Sequence, residues 1–124
     1  AQHLGGVALA EFDCLFFFNR YISFMENIHS VKTVTIRNKR YKFIVKKNLI
    51  SRKEARGLTD APTTKGKSVK IDPDQSPKEL LATLIDEFLH CAIWDLRNDV
   101  VDQISDDLSH ALWRCGLRFV DPVE

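Results

Sequence analysis

Long hydrophobic runs and paired cysteines are both missing from this sequence. No stretch of its 124 residues approaches the roughly 18–20 consecutive apolar residues that a membrane-spanning helix needs, so we expect no transmembrane segment. The three cysteines cannot all pair with one another, and no two of them have Cys-x-x-Cys spacing. They are typical of reduced thiols in a cytosolic protein, although a disulfide between Cys91 and Cys115 stays open as an alternative. We therefore expect a single cytoplasmic domain with no membrane partner.

The first 24 residues differ in character from the rest of the chain. They include an apolar run of one leucine and three phenylalanines at 15–18, but they lack the basic start of a secretory signal. Met25 is the only methionine. One explanation is that the natural chain begins at Met25; the other is that residues 1–24 form an accessory element. We prefer the first and divide the chain into an N-terminal extension, 1–24, and one domain, 25–124.

Charge is divided unequally along a chain whose formal net charge is only +1. Between Arg20 and Lys70 there are fourteen basic residues and three acidic ones, whereas from Asp72 onward there are four basic and twelve acidic residues. This division is compatible with a solvated sheet edge joined to a solvated acidic helix pair. Alternatively, the acidic half holds a cation and the basic half contacts an anionic partner.

A β-hairpin is predicted from the alternation of apolar and polar residues between 33 and 46. We place its turn at Asn38-Lys39, because asparagine tolerates the positive φ of a tight hairpin turn. Tyr41 and Phe43 fall on the alternation that faces the core, so they should pack rather than stack on bases. The other residues make the hairpin basic and able to contact nucleic-acid phosphates. This weak candidate surface comprises Lys39, Arg40, Lys42, Lys46 and Lys47.

Between the hairpin and the C-terminal half, two further elements are predicted. Residues 51–56 have helical character, and we expect Gly57 to end that turn as a left-handed cap. Residues 68–72 form a short third strand, which ends at Pro73.

Two helices are predicted in the C-terminal half. Ser76, Pro77 and Glu79 form a capping box with proline at the first helical position, so a helix begins here and runs to about Trp94. A second helix is predicted over residues 97–116 and ends at a glycine suited to a C-terminal cap. Projected at 100° per residue, each helix has one apolar stripe that we expect to be buried. The stripes comprise Leu81, Leu84, Ile85, Phe88 and Ala92 in the first helix and Val101, Ile104, Leu108, Ala111, Leu112 and Cys115 in the second.

The face of the first helix opposite its apolar stripe carries Asp86, Glu87 and His90. Side chains at i and i+4 converge on one point, and the residue at i+1 lies beside them. The arrangement is close to His-Glu-x-x-His, in which two histidines bind zinc and the glutamate is the general base. Here the first histidine is replaced by Asp86. Three interpretations stay open: Asp86 is itself a ligand, the site is a remnant without metal, or the three residues are a solvated helix face.

The segment from Ser68 to Arg118 resembles the small, single-domain zinc metallopeptidases found in bacteriophage genomes, relatives of the SprT-like and minimal zincin groups. The resemblance lies in the order of a short strand, a capped helix with the Asp86-Glu87-x-x-His90 segment and a second helix. It implies a zincin-like α+β fold, in which a hairpin and one further strand make a small sheet that packs with the two C-terminal helices. Where the family has histidine, this chain has Asp86.

The resemblance also implies a metal site and an activity. His90, Asp86 and a third ligand from the second helix would hold Zn²⁺, and Asp102 is our choice for that third ligand, with Asp99 second. Glu87 would be the general base for hydrolysis of a peptide bond. The chain is thus expected to be an atypical or degenerate metallopeptidase, located in the host cytoplasm if it is phage-encoded. The alternative is a non-catalytic binding or virion-assembly module on the same scaffold.

Overall fold

The computed structural model describes residues 28–53 and 55–119. Within them, four strands and two long C-terminal helices make an α+β domain, which confirms that part of the prediction. No helix in these ranges is both long and apolar enough to cross a membrane. The proposed extension, residues 1–24, lies outside the described residues. The elements in chain order are β1 (Thr33–Ile36), β2 (Lys39–Val45), α1 (Leu49–Lys53), β3 (Gly57–Thr59), β4 (Ser68–Ile71), α2 (Pro77–Ala92) and α3 (Asn98–Arg114).

The β1–β2 hairpin turns one residue earlier than predicted. Its two turn residues are Arg37 and Asn38, both with positive φ, and Lys39 already belongs to β2. Asn38 does supply the left-handed conformation expected of it. The register pairs Ile36 with Lys39 and Val34 with Tyr41, so the apolar alternation faces the core. Tyr41 is fully buried, as predicted.

The sheet contains one strand more than the sequence predicted. Its order is β1-β2-β4-β3, with β2 and β4 parallel and the two outer pairs antiparallel. The prediction that Gly57 caps a helix is wrong, because α1 ends at Lys53 and Gly57 is the first residue of β3. A three-residue strand is too short to display a period-two pattern. As a result, β3 was not recognisable in the sequence.

Helix α2 begins as predicted and is buried on an unexpected face. The Ser76 hydroxyl accepts a hydrogen bond from the Glu79 backbone N–H, and the Glu79 carboxylate accepts one from the Ser76 backbone N–H. The most buried residues are Leu80, Thr83, Glu87 and Cys91, whereas Leu84 and Phe88 of the predicted stripe are half-buried and pack against the core. The reason is that α2 contacts α3 as well as β1, β3 and β4, so it is covered on more than one side.

Helix α3 follows α2 after a short connection and differs from the prediction in which side it buries. Its buried residues are Val101, Ser105 and Ser109, and the small side chains of the two serines allow close packing. Of the predicted stripe only Val101 is fully buried, while Leu108 is 44% exposed and Leu112 is 39% exposed. The prediction for the C-terminal half of this stripe is therefore wrong, since α3 packs there on the side that carries Ser105 and Ser109.

The strand β4 leads into α2 through a buried polar connection. Asp72, 1% exposed, accepts hydrogen bonds from the backbone N–H groups of Ile50 and Asp74, at 2.9 Å each. The Gln75 amide donates to the Asp72 carbonyl at 2.7 Å, and its oxygen accepts a bond from the Thr83 hydroxyl at 2.6 Å. These bonds fix α1 and the start of α2 against the end of the sheet.

The described cysteines are free thiols, so the alternative of a disulfide between Cys91 and Cys115 is wrong. Cys91 is buried on α2, whereas Cys115 is exposed at the end of α3. Burial is the main cause that raises the pKa of Cys91, to about 11, and Glu87 raises it further. Cys91 is therefore a neutral core residue at physiological pH.

Candidate metal centre

Glu87 occupies the most enclosed position of the candidate site. Its side chain is 6% exposed, and its Oε1 accepts a hydrogen bond of 2.7 Å from the Thr59 hydroxyl of β3. Gly57, two residues before Thr59 in the same strand, also lies against Glu87. A Cβ added at Gly57 would lie only 2.7 Å from the Glu87 Cγ. The absence of a side chain at Gly57 thus lets β3 pass directly over the glutamate. Of the three open interpretations, the solvated helix face is wrong for Glu87, because β3 covers that face of α2.

Asp86 and His90 form the exposed side of the same cluster. The Asp86 Oδ1 lies 3.2 Å from the His90 Nε2, and the two side chains are 21% and 19% exposed. One ligand atom from each of Asp86, Glu87 and His90 can be chosen so that all three atoms lie within 4.8 Å of one another. The i,i+4 spacing on a regular helix is sufficient to produce this convergence.

The two carboxylates proposed as third ligand lie in different places. Asp102 of α3 faces Asp86 closely enough for their carboxyl groups to form a hydrogen bond, and Asp106 acts on Asp86 electrostatically. Asp102 is nevertheless outside the three-residue cluster. Asp99 is engaged by the Arg97 guanidinium through bonds of 3.0 and 2.8 Å, and it does not line the groove described below.

The protonation of the cluster reflects burial together with crowded negative charge. Partial burial is the largest cause that raises the pKa of Asp86, to about 7, followed by the hydrogen bond with Asp102 and by the charge of Glu87. Burial also raises the pKa of Glu87, against the opposing effect of the Thr59 hydrogen bond. Burial lowers the pKa of His90, although the charge of Asp102 partly offsets this. Near neutral pH, the cluster thus favours a bound proton or a cation.

A groove of about 880 Å³ contains the cluster. One wall is β3, which pairs with β4 on one side only, and the other walls are α2 and the first half of α3. Carboxylates from both helices line the groove, and Trp94 lies at one end with its ring 6.3 Å from the His90 ring. The groove therefore brings an open strand edge, a histidine and several carboxylates into one place.

The donor atoms fit a divalent metal ion. Ligand oxygens and nitrogens lie about 2.0–2.2 Å from zinc, which places two ligands of a tetrahedral ion roughly 3.4 Å apart. The 3.2 Å between Asp86 and His90 is close to that separation. Two carboxylates and one imidazole also suit harder ions such as Mn²⁺. Asp102 lines the same groove and is the further oxygen donor that α3 offers there, although it lies outside the three-residue cluster.

No family model, curated protein or solved structure matches the chain. The resemblance to zincins thus stays a prediction, and the function has to be inferred from the groove and its side chains.

The sequence located the helical part of this site but missed the part supplied by the sheet. Asp86, Glu87, His90 and Asp102 all line the groove, as their helical positions suggested. Thr59, which holds the Glu87 carboxylate, was not anticipated. The sequence did contain one signal for this contact, Gly57. A glycine can mark a close approach of two segments as well as the end of a helix.

Proposed function

We propose that this chain binds one divalent metal ion, with zinc as first candidate, and is an atypical metal-dependent peptidase. The observation that supports the proposal best is the convergence of Asp86, Glu87 and His90 within 4.8 Å in a groove beside an open strand edge. His90 and Asp86 would hold the ion, with Asp102 as a third ligand. When bound, the ion would supply Lewis-acid polarisation of a carbonyl group.

Glu87 has the properties of a general base. Its burial raises its pKa toward neutrality, which increases its affinity for a proton taken from a water molecule in the groove. The bond from Thr59 occupies Oε1 and fixes the carboxylate, so Oε2 is the atom available for proton transfer. After attack of that water on a peptide carbonyl, Glu87 would pass the proton to the leaving amine.

The free edge of β3 favours a peptide as the substrate. In the described part of the chain, β3 pairs only with β4, so its second edge is free, and residues of β3 line the groove. An extended peptide can add to such an edge as a further strand through main-chain hydrogen bonds. Because Thr59 also holds Glu87, this strand would place a peptide bond next to the general base.

Metal content measured by mass spectrometry on protein purified without chelators tests the metal site. We expect about one ion per chain in the wild type and its loss in His90→Ala. The matched control is His110→Ala, since His110 is exposed on α3 and hydrogen-bonds to Lys78 outside the groove. Absence of metal from the wild type after dialysis against zinc, or equal loss in the two variants, contradicts the proposed site.

Catalysis is tested separately with Glu87→Gln. The glutamine oxygen can still accept the Thr59 bond, so this variant should fold and keep its metal while it loses peptide hydrolysis. Hydrolysis of an unstructured protein substrate, followed by mass spectrometry of the products, is the assay. If the wild type retains metal but hydrolyses no peptide bond, the chain is a metal-binding protein and the proposed peptidase activity is refuted.

A second candidate function is nucleic-acid binding through the basic hairpin. Lys39, Arg40, Lys42, Lys46 and Lys47 are all exposed, and none forms an ion pair within the described residues. Tyr41 and Phe43 are buried, so only backbone phosphates are available as contacts. A salt-dependent gel shift that is lost in Arg40→Glu/Lys42→Glu would support this function, and no shift at low salt would remove it.

A further inference from the structure

An apolar row on α3 lies outside the core of the described domain. Ile104, Leu108, Ala111 and Cys115 follow one another at spacings of four, three and four residues, which is the spacing of a helix-pairing seam. Ile104 is half-buried and the other three are exposed, with Leu108 at 44%. Leu112, the residue after Ala111, is also exposed, at 39%.

The exposure has a clear origin in the packing of the two helices. Lys78, in the first turn of α2, hydrogen-bonds to His110, so α2 begins opposite that residue. Within the described residues, the last turn of α3 extends past this point, beyond the start of α2. This offset accounts for the exposure of Leu112 in the last turn, whereas Leu108, which precedes His110, is exposed because it lies off the side of α3 that packs on α2.

Charge along α3 is arranged with opposite signs at its two ends. On the flank of the apolar row that lies away from α2, Asp107 and Arg114 are exposed, seven residues apart and opposite in charge. Two copies of this helix that run parallel would place like charges side by side. Two copies that run antiparallel would place Asp107 of each beside Arg114 of the other.

From these observations we infer that the chain forms a two-fold symmetric dimer through antiparallel packing of α3 against α3 of a second copy. The seam is symmetric about the midpoint of residues 104 and 115, so Leu108 faces Ala111 of the other copy and Ile104 faces Cys115. The flanking positions then bring Asp107 of each copy beside Arg114 of the other. Both side chains are exposed and free of ion pairs within the described residues.

The dimer surface is separate from the groove. At 100° per residue, Asp102 and Asp106 lie on the side of α3 that faces α2 and the groove. The seam lies on the opposite side of Val101 from these two aspartates. Pairing of the seam thus leaves Asp86 and His90 open to solvent. The inference does not depend on metal binding or on peptide hydrolysis.

The mass of the full chain over a wide concentration range, measured by sedimentation equilibrium, tests the dimer. Leu108→Glu should weaken association at least about tenfold, equivalent to about 1.4 kcal/mol. The control Gln103→Glu adds the same charge at an exposed position of α3 away from the seam and should leave association unchanged. A chain that stays monomeric overturns the inference. So does a Leu108→Glu variant that loses stability to urea without a change of mass, because the seam is then covered within one chain.

Two further arms test the direction of pairing. Asp107→Arg and Arg114→Asp should each weaken the dimer, and the double exchange should restore it; a double variant as weak as the singles contradicts the antiparallel register. In a Cys14→Ser background, Ile104→Cys should give an interchain disulfide with Cys115 on mild oxidation. Without Ile104→Cys the same background should give none, since the two Cys115 side chains lie roughly 16 Å apart along an antiparallel pair. A disulfide there would indicate parallel helices.

Discussion

Gly57 offers the sharpest test of how the sheet holds the candidate general base. In Gly57→Ala, the new methyl carbon would lie 2.7 Å from the Glu87 Cγ and 2.9 Å from its Oε2, both well inside van der Waals contact. The backbone at Gly57 does not occupy the left-handed region, so alanine fits its local conformation. The effect of the substitution therefore comes from the contact with Glu87 alone.

The size of the effect follows from the packing and the hydrogen bond of Glu87 that the new methyl group disturbs. Overpacking a buried site costs about 1–3 kcal/mol, and moving the carboxylate weakens a charged hydrogen bond worth about 1.5–3 kcal/mol. The reduced entropy of the unfolded chain returns about 0.4–1 kcal/mol. We expect a loss of about 2 kcal/mol in the free energy of unfolding. With an m-value of about 1–3 kcal/mol/M in urea, the midpoint should fall by roughly 0.7–2 M.

A double-mutant cycle separates this contact from other effects of the methyl group. In a Glu87→Ala background the clashing atoms are gone, so Gly57→Ala should be neutral or stabilising by about 0.5 kcal/mol. Unfolding in urea, followed by the fluorescence of Trp94 and Trp113, measures all four proteins. Leu58→Ala serves as a control on the same strand, since Leu58 is 37% exposed. An equal loss of stability in both backgrounds would show that the contact with Glu87 is not the reason why position 57 requires glycine.

Two other predictions concern the carboxyl groups of Asp86 and Asp72. In chelator-treated protein, the pKa of Asp86 is raised from 3.8 to about 7. Between these pH values the native state keeps a proton on Asp86, whereas the unfolded chain releases it. Stability should thus fall as pH rises from about 4 to 7, and less steeply in Asp86→Asn; equal slopes in urea titrations would refute the shift. Asp72→Ala should cost about 2–4 kcal/mol, because it leaves the N–H groups of Ile50 and Asp74 without their acceptor. Asp74→Ala, an exposed neighbour, should change stability by less than about 0.5 kcal/mol, and a similar loss in both would contradict this role.

The sequence determined the helical part of the fold better than the sheet, for a physical reason. The cap at Ser76 and the hairpin turn at Asn38 are local features, so a single sequence displays them. The burial of Glu87 depends on β3, which lies 28 residues away from it and has only three residues of its own. How much of α3 is covered depends on where α2 begins beside it. The periodicity of the sequence within one helix contains no information about the position of a neighbouring helix.

The parallel pairing of β2 with β4 has a consequence for the order of folding. The strands pair Lys42 with Ser68 and Val45 with Ile71, so the chain must close a loop of more than twenty residues before this ladder forms. Closing that loop costs entropy that the β1–β2 hairpin and the α2–α3 pair avoid, because their partners are adjacent in the chain. We expect the hairpin and the helix pair to form early and to dock when β4 joins them. Val69→Ala should then mainly accelerate unfolding, which stopped-flow measurements in urea can establish.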